Sequence, residues 1–247
     1  MQYYGLSDIG RSRKENQDKI YLVDKDSELK LFILADGMGG ANAGSVASST
    51  AVDFIKDCIL KKFKSINKDR ESIENLIKES MSVANNYVYD KSKAIREYAG
   101  MGTTVITAII YRNKVYLGHI GDSRAYRVRK NIIRQLTKDH SYVQALVENG
   151  SISKEEAQNH PQKNVLLKVL GCEKNVEPDV ITKGFLKDDV LLICTDGLTN
   201  MLDTDEIYNI VTENKNDVKK GCELLIANAN EQGGYDNISV ILISYID

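Results

Sequence analysis

The ten residues 31–40, LFILADGMGG, constrain the fold of this chain more than any other stretch. The first five are apolar and predict a strand buried on both faces, because a half-exposed strand would alternate apolar and polar side chains. The strand ends at Asp36, and the glycines that follow let another group approach the backbone closely. A carboxylate on a rigid strand end suits a hard cation, although a lone Asp-Gly is most often only a turn.

The same pattern recurs at other predicted strand ends. Asp122 lies in the break between two strands, and Asp196 follows a second apolar run. Asp236 begins the last predicted strand, and Asp18 precedes an early one. If these ends meet in the fold, several like charges share a small volume, which is unfavourable without cations. Recurrence therefore favours a metal site over a set of unrelated turns.

The residue types available as ligands indicate which metal such a site would hold. The chain has only three histidines, and none of its four cysteines forms a C-x-x-C pair, so zinc ligands are poorly supplied. Oxygen-rich sites suit Mg²⁺ or Mn²⁺. Two such ions bridged by a carboxylate can activate a water molecule and hold a phosphoryl oxygen. Arg13, in the polar segment before Asp18, could supply the planar fork that binds a phosphate.

Periodicity predicts a layered α+β domain. Helical spacing covers residues 43–64 and 71–97, and four strands joined by tight polar breaks, which require antiparallel neighbours, cover residues 103–136. The pattern of residues 139–170 predicts short helical pieces, one of which begins at a capping box over residues 153–156. Asp203, with Glu206 three residues later, predicts another helix start. No repeat and no compositional break marks a second domain, so we expect sheets inside and helices outside.

Composition excludes several classes of protein. The net charge of −2 does not provide the basic surface that nucleic-acid binding needs. No apolar run approaches the length of a membrane span, and the N-terminus lacks the features of a signal peptide. We therefore expect a cytoplasmic protein that binds neither membrane nor nucleic acid. The glycines at 37, 39 and 40 could suggest a dinucleotide loop, but Asn42 occupies its third glycine position and no βαβ unit follows.

Seven motifs, in order and spread over nearly the whole chain, carry a family resemblance. They are Asp8-Ile9-Gly10 through Arg13, Asn16-Gln17-Asp18, residues 35–40, Met101-Gly102-Thr103-Thr104, Gly121-Asp122-Ser123-Arg124, residues 195–199 and Asp236-Asn237. With these motifs the chain resembles the metal-dependent Ser/Thr protein phosphatases of type 2C, the PPM family, in their compact stand-alone bacterial form. The resemblance implies a single domain over residues 1–247, built as a four-layer α-β-β-α sandwich with two central antiparallel sheets. Residues from about 139 to 171 would form a mobile flap that shapes substrate choice.

The resemblance also implies a binuclear centre with two Mg²⁺ or Mn²⁺ ions per chain. Its ligands would be Asp36, the Gly37 carbonyl, Asp196 and Asp236. Asp122 together with Asp196 would match a third, weaker metal site.

Two further residues take roles outside the ligand set. Arg13 would bind the substrate phosphate, and Asp18 would orient metal-bound water. The chain departs from the family pattern in one place: many bacterial relatives carry a histidine directly after the Gly-Gly pair, where this sequence has Ala41. Protonation of the leaving seryl or threonyl oxygen would then fall to metal-bound water or to an unidentified group.

The expected function is a phosphoprotein phosphatase that hydrolyses phosphoserine and phosphothreonine with a metal-activated hydroxide. Its partners would be phosphorylated Ser/Thr proteins, including a bacterial Ser/Thr kinase that it opposes and the substrates of that kinase, and we expect a monomer. Two alternatives remain: a catalytically weak regulatory module, and a small-molecule phosphoesterase on the same fold. The first would have lost metal carboxylates, which this chain retains, and the second depends on contacts in the flap.

Overall fold

The computed structural model describes residues 1–24, 26–40 and 42–246. The strands are β1 (Gln2–Asp8), β2 (Asp18–Leu22), β3 (Lys30–Met38), β4 (Gly102–Thr103), β5 (Val105–Tyr111), β6 (Lys114–Ile120), β7 (Arg124–Arg129), β8 (Ile132–Gln135), β9 (Asp179–Gly184), β10 (Val190–Cys194) and β11 (Ile238–Ser244). The α-helices are α1 (Ala43–Lys62), α2 (Arg70–Ala94), α3 (Tyr142–Glu148), α4 (Lys154–Gln158), α5 (Asp196–Thr199), α6 (Thr204–Glu213) and α7 (Val218–Glu231).

Two antiparallel sheets form the centre of the molecule. One has the strand order β1-β11-β10-β7-β8, and the other has the order β2-β3-β5-β6-β9 with β4 paired to β3. Their inner faces pack together through Phe32, Ile106, Leu191 and Ile241, among others. Helices α1 and α2 cover the outer face of the second sheet, and α6 and α7 cover the first. The four-layer α-β-β-α sandwich expected from the sequence is confirmed.

Strand β3 shows why a continuous apolar run was needed at this place. Leu31 and Ile33 point to the helical side and pack against α1 and α2. Phe32 and Leu34 point to the opposite side and join the core between the sheets. All four side chains are fully buried, as expected when both faces of a strand are covered. The prediction for this strand is confirmed at the level of individual side chains.

Sequence patterns missed two strands, and both are edge strands. Neither β1 nor β9 carried a strand prediction. Each has a hydrogen-bonded neighbour on one side only, and most of its residues are partly exposed. An edge strand with little burial has neither the continuous nor the alternating apolar pattern on which such predictions depend.

The helix starts that were predicted from capping residues are confirmed. The Ser153 hydroxyl accepts from the backbone of Glu156, whose side chain accepts from the Ser153 backbone in return, and Asp203 and Glu206 form the same reciprocal pair. None of the helices in the described part of the chain is long and apolar enough to span a bilayer. Ala41 lies outside the described residues.

Candidate metal centre

The predicted acidic residues meet at one edge of the sandwich. Asp18 begins β2 and stands opposite Asp36 of β3 in the strand register. Asp196 follows β10 and opens α5, and Asp236 lies two residues before β11, which pairs with β10. Asp122 occupies the turn between β6 and β7. The ends of both sheets therefore bring together five carboxylates that lie up to 218 positions apart in the sequence.

Asp36 and Asp196 interact directly. Both carboxyl groups are buried, and the contact with Asp36 lowers the pKa of Asp196 against the larger effect of burial. Burial, together with the charges of Asp18 and Asp196, raises the pKa of Asp36 well above its usual value. Burial and the charge of Asp236 raise the pKa of Asp196. The like charges in this cluster therefore favour either protonation or the binding of cations.

Of the two carboxylate oxygens of Asp18, one is held by hydrogen bonds and the other has no hydrogen-bond donor among the described residues. Its Oδ2 atom accepts hydrogen bonds from the hydroxyls of Ser239 at 2.6 Å and Thr195 at 3.1 Å. Its Oδ1 atom is buried and accepts no hydrogen bond from any described group, and the same holds for Oδ1 of Asp196. Burial raises the pKa of Asp18 to about 7, with smaller contributions from the charges of Asp196 and Asp236.

These observations fit a site for a hard divalent cation. Buried carboxylate oxygens without donors are the atoms that such an ion coordinates. The described Asp, Glu, His and Cys side chains contain no group of three already close enough together to hold an ion. A bound cation would neutralise the like charges of this cluster, which are otherwise unfavourable in a buried position.

Gly37 leaves no room for a side chain at the centre. A Cβ atom there would lie 2.1 Å from the Gly44 carbonyl oxygen and 2.7 Å from that of Gln17. The Gly37 carbonyl oxygen lies against the first turn of α1, 2.8 Å from where a Cβ of Gly44 would stand. Only glycine permits α1 to approach the end of β3 this closely.

Arg13 reaches the carboxylate cluster from the solvent side. Its Nη2 atom donates to Oδ2 of Asp236 at 2.7 Å, and 53% of its side chain remains exposed. The hydrogen bond to Asp236 raises the pKa of Arg13, and the charges of Asp36 and Asp196 add to this effect. The guanidinium therefore stands beside the predicted metal ligands and is accessible to an incoming anion.

The structure adds Asn237 to the residues that build the centre. Its Oδ1 atom accepts from the backbone amide of Gln17 at 2.9 Å, and its Nδ2 donates to the carbonyl oxygens of Ile9 at 2.9 Å and Glu15 at 2.8 Å. One side chain thus ties together both ends of the loop that carries Arg13. Sequence reasoning quoted the Asp-Asn pair but gave a role only to the aspartate, because nothing local indicates what the amide contacts.

Asp122 lies at the boundary between the centre and the segment 139–171. Burial raises its pKa to about 8, and the charges of Asp196 and Asp139 contribute. The amide of Gly121 donates to Nδ1 of His140 at 3.0 Å, and the rings of His119 and His140 stack with centroids 4.7 Å apart. Burial lowers the pKa of His119 to about 3. His119 is thus a neutral, fully buried residue.

Fold and site together define a layered α+β protein with an acidic, oxygen-ligand centre at the open edge of two sheets. Residues 9–224 match the model of the family described as Protein phosphatase 2C. The chain belongs to this family.

Two relatives and one metal complex show how far the similarity extends. The serine/threonine phosphatase stp of Listeria welshimeri is 38% identical over 96% of this chain and 93% of its own length. The Streptococcus agalactiae serine/threonine phosphatase superposes with a TM-score of 0.90 at 36% identity, over 100% of this chain and 99% of the other. The catalytic domain of the phosphatase PstP in complex with two manganese ions has a TM-score of 0.86 at 29% identity, over 100% and 98% of the two chains.

Proposed function

We propose that this chain hydrolyses phosphoserine and phosphothreonine in proteins at a binuclear Mg²⁺ or Mn²⁺ centre. The observation that carries the proposal is the cluster of carboxylates with raised pKa values and unsatisfied buried oxygens beside the exposed guanidinium of Arg13. The relatives named above are Ser/Thr phosphatases, and one structural neighbour holds two manganese ions. This support extends to the reaction class and to the use of divalent cations.

The ligands of the two ions would be Asp36, the Gly37 carbonyl, Asp196 and Asp236, with a third, weaker site formed by Asp122 and Asp196. Bound divalent cations supply an activated water molecule and neutralise negative charge on the phosphoryl group. Since the ligands are all oxygen atoms, Mg²⁺ and Mn²⁺ fit this set better than zinc does.

Arg13 would bind the substrate phosphate. A guanidinium presents parallel N–H donors that match two phosphate oxygens, which a lysine ammonium cannot do. In the structure Arg13 already donates to Asp236 at 2.7 Å, so only a small side-chain movement is needed to place its donors over the centre. Its exposure allows that movement.

Asp18 would orient the attacking water. Its Oδ2 atom is fixed by Thr195 and Ser239, while its Oδ1 atom is free to accept a hydrogen bond. A carboxylate with one oxygen fixed and the other available can hold a water molecule in one orientation.

Further parts of the proposal concern the cellular role. The phosphatase domain would extend over residues 1–247, with residues 139–171 as the flap beside the site. The enzyme would act in the cytoplasm as a monomer and would oppose a Ser/Thr kinase by dephosphorylating the kinase and its substrates. A small-molecule phosphoesterase remains the alternative. Equal or better kcat/KM on small phosphoesters than on phosphopeptides would favour it.

The metal assignment is tested with wild type and Asp196→Asn, assayed for Mn²⁺-dependent hydrolysis of p-nitrophenyl phosphate. We expect a loss of at least about a hundredfold in kcat/KM, since the variant removes a charged ligand at the centre. Asp205→Asn is the matched control, because Asp205 is exposed in the first turn of α6 and away from the cluster. Equal rates for wild type and Asp196→Asn would refute the assignment.

A further inference from the structure

A cavity of about 700 Å³ opens beside Asp122 and Asp196. One wall is formed by residues of the 139–164 stretch, and the opposite wall by residues 199–204, between α5 and α6. Because two acidic residues of the candidate metal centre line it, whatever occupies the cavity lies directly beside a phosphoryl group bound there. The charges on its walls therefore bear on substrate choice.

The two described acidic wall residues outside the metal centre, Asp139 and Asp203, differ in whether a cation neutralises them. Asp139 receives both ends of the Arg124 guanidinium, with the closest N–O distance at 2.7 Å, and also the amide of Gln135 at 2.8 Å. Asp203 caps α6 and accepts from the backbone of Glu206 at 2.8 Å. Asp139 therefore adds little free negative charge to the cavity, whereas Asp203 accepts only from a backbone amide and keeps its charge.

One wall lysine is also neutralised. Lys138 pairs with Glu148 at 2.7 Å, and Glu148 in addition accepts from the Gln144 amide.

Unpaired charge remains on the flap side. Lys154 and Lys163 both line the cavity and are exposed, and neither forms an ion pair with a described side chain. Lys154 influences the exposed neighbouring Glu155, but neither glutamate of α4 lines the cavity. Outside the metal centre, Lys154 and Lys163 outnumber the single unneutralised carboxylate among the described wall residues, that of Asp203, so the net free charge on the walls is positive.

Three amide side chains accompany the lysines. Gln158, Asn159 and Asn164 also line the cavity, and in the described part of the chain their side chains make no hydrogen bond. Primary amides carry both donors and acceptors, which match the N–H and C=O groups of an extended polypeptide. These three amides and the two lysines all come from residues 154–164, a single stretch of the proposed flap.

We propose that this cavity binds the polypeptide flanking the phosphorylated residue and selects acidic side chains in that polypeptide through Lys154 and Lys163. The inference rests on the proposed function and specifies its substrates. The occupant is a segment of the phosphoprotein, because the cavity adjoins the centre where its phosphate would bind and because the free charge of its walls complements carboxylates. The preference depends on attraction between exposed charges, which dissolved ions screen, so it weakens as the salt concentration is raised.

The test compares two phosphothreonine peptides of equal length that differ only in the flanking positions, with Glu in one and Gln in the other. For each enzyme the quantity measured is the ratio of kcat/KM for the Glu peptide to that for the Gln peptide, which is insensitive to the fraction of active protein. We expect wild type to prefer the Glu peptide by roughly tenfold at low salt, two exposed ion pairs being worth about this much. The preference should fall toward one at about 0.5 M NaCl.

Variants then locate the source of the preference. Lys154→Glu/Lys163→Glu should reduce the ratio to one or below, and Lys154→Gln/Lys163→Gln should reduce it to an intermediate value. Lys183→Glu/Lys215→Glu is the matched control, since it changes the net charge equally at exposed lysines outside the cavity, and it should keep the wild-type ratio.

The outcomes separate this inference from the function on which it rests. A wild-type enzyme that hydrolyses p-nitrophenyl phosphate but shows a ratio of one would overturn the peptide selection alone. The peptide selection would also be overturned if both Lys154/Lys163 double variants kept the wild-type preference for the Glu peptide. The same holds if the Lys183→Glu/Lys215→Glu control lost this preference as much as they do. A wild-type enzyme that hydrolyses neither p-nitrophenyl phosphate nor the peptides would overturn the proposed function, and the selection with it.

Discussion

The side chain of Asn237 accepts a hydrogen bond from the backbone of Gln17 at 2.9 Å, across 220 positions of sequence. The same side chain donates to the carbonyl oxygen of Ile9, at the other end of the 9–17 segment, and to that of Glu15, two residues before Gln17. Asn237 therefore positions the loop that carries Arg13. Its neighbour Asp236 is the residue to which Arg13 donates, so one dipeptide holds both the arginine and the loop that carries it.

Replacing Asn237 by Ala should lower phosphatase activity through Arg13. We expect KM for a phosphopeptide to rise about tenfold, because the loop loses three hydrogen bonds and Arg13 is no longer held over the centre. A double-mutant cycle with Arg13→Ala supplies the measurement: the two losses should be strongly non-additive. Asn228→Ala, which removes only an amide contact to Leu224 within α7, should behave like wild type. Additive losses would mean that Asn237 acts independently of Arg13.

Arg13 itself should not be replaceable by lysine. Arg13→Lys and Arg13→Ala should both weaken inhibition by inorganic phosphate, by about ten- to a hundredfold, since neither can donate two parallel hydrogen bonds to one phosphate. Inhibition constants measured with p-nitrophenyl phosphate as substrate test this directly. Arg11→Ala is the control, because Arg11 is exposed and its described hydrogen bond uses the backbone amide. Unchanged phosphate inhibition in Arg13→Ala would exclude Arg13 as the phosphate ligand.

The pair Gly37 and Gly40 offers a matched test of packing at the centre. A Cβ at residue 37 would lie 2.1 Å from a backbone oxygen, whereas one at residue 40 meets nothing within 4 Å. Gly37→Ala should therefore cost about 2–3 kcal/mol or more in the free energy of unfolding, and Gly40→Ala should stay within about 0.5 kcal/mol of wild type. Urea unfolding curves measure both, and similar values for the two variants would contradict the close approach of α1 to β3.

The raised pKa values of the carboxylates predict a stability profile for the metal-free protein. In the folded, metal-free protein the pKa of Asp18 is raised to about 7 and that of Asp122 to about 8, against 3.8 for an unperturbed aspartate. The folded state therefore binds protons more tightly than the unfolded state, and the stability that this provides is lost as pH rises from about 4 to 8. At about 1.4 kcal/mol per pKa unit the loss is up to about 4 kcal/mol for Asp18.

Melting temperatures measured between pH 5 and pH 8 in the presence of a metal chelator check this expectation. This range includes the raised pKa values of Asp18 and Asp122. The melting temperature of wild type should fall across this range, and that of Asp18→Asn should fall less. Added Mn²⁺ should restore stability most strongly at the upper end, where the ligands are ionised and the ion binds only the folded state. A profile that rises with pH in chelator would contradict the raised pKa values.

Local patterns in the sequence determined much of the fold. The five apolar residues before Asp36 require cover on both faces, and the sandwich provides it with α1 and α2 on one side and the sheet of β1, β11, β10, β7 and β8 on the other. Capping boxes at Ser153 and Asp203 determined two helix starts, because the groups that satisfy each other lie three residues apart. The candidate acidic centre could likewise be predicted, because each carboxylate stands beside its own strand end.

Other features depended on contacts that no local pattern contains. The edge strands β1 and β9 exist because a neighbouring strand offers hydrogen bonds, and their own side chains are only partly buried. Neither the hydrogen bonds by which Asn237 holds the 9–17 segment nor the lack of an ion-pair partner for Lys154 among the described residues could be predicted locally. Both depend on which distant residues the fold brings close to these side chains. Sequence alone thus determined which residues could form the centre, and tertiary structure decided how they are held and what surface lies beside them.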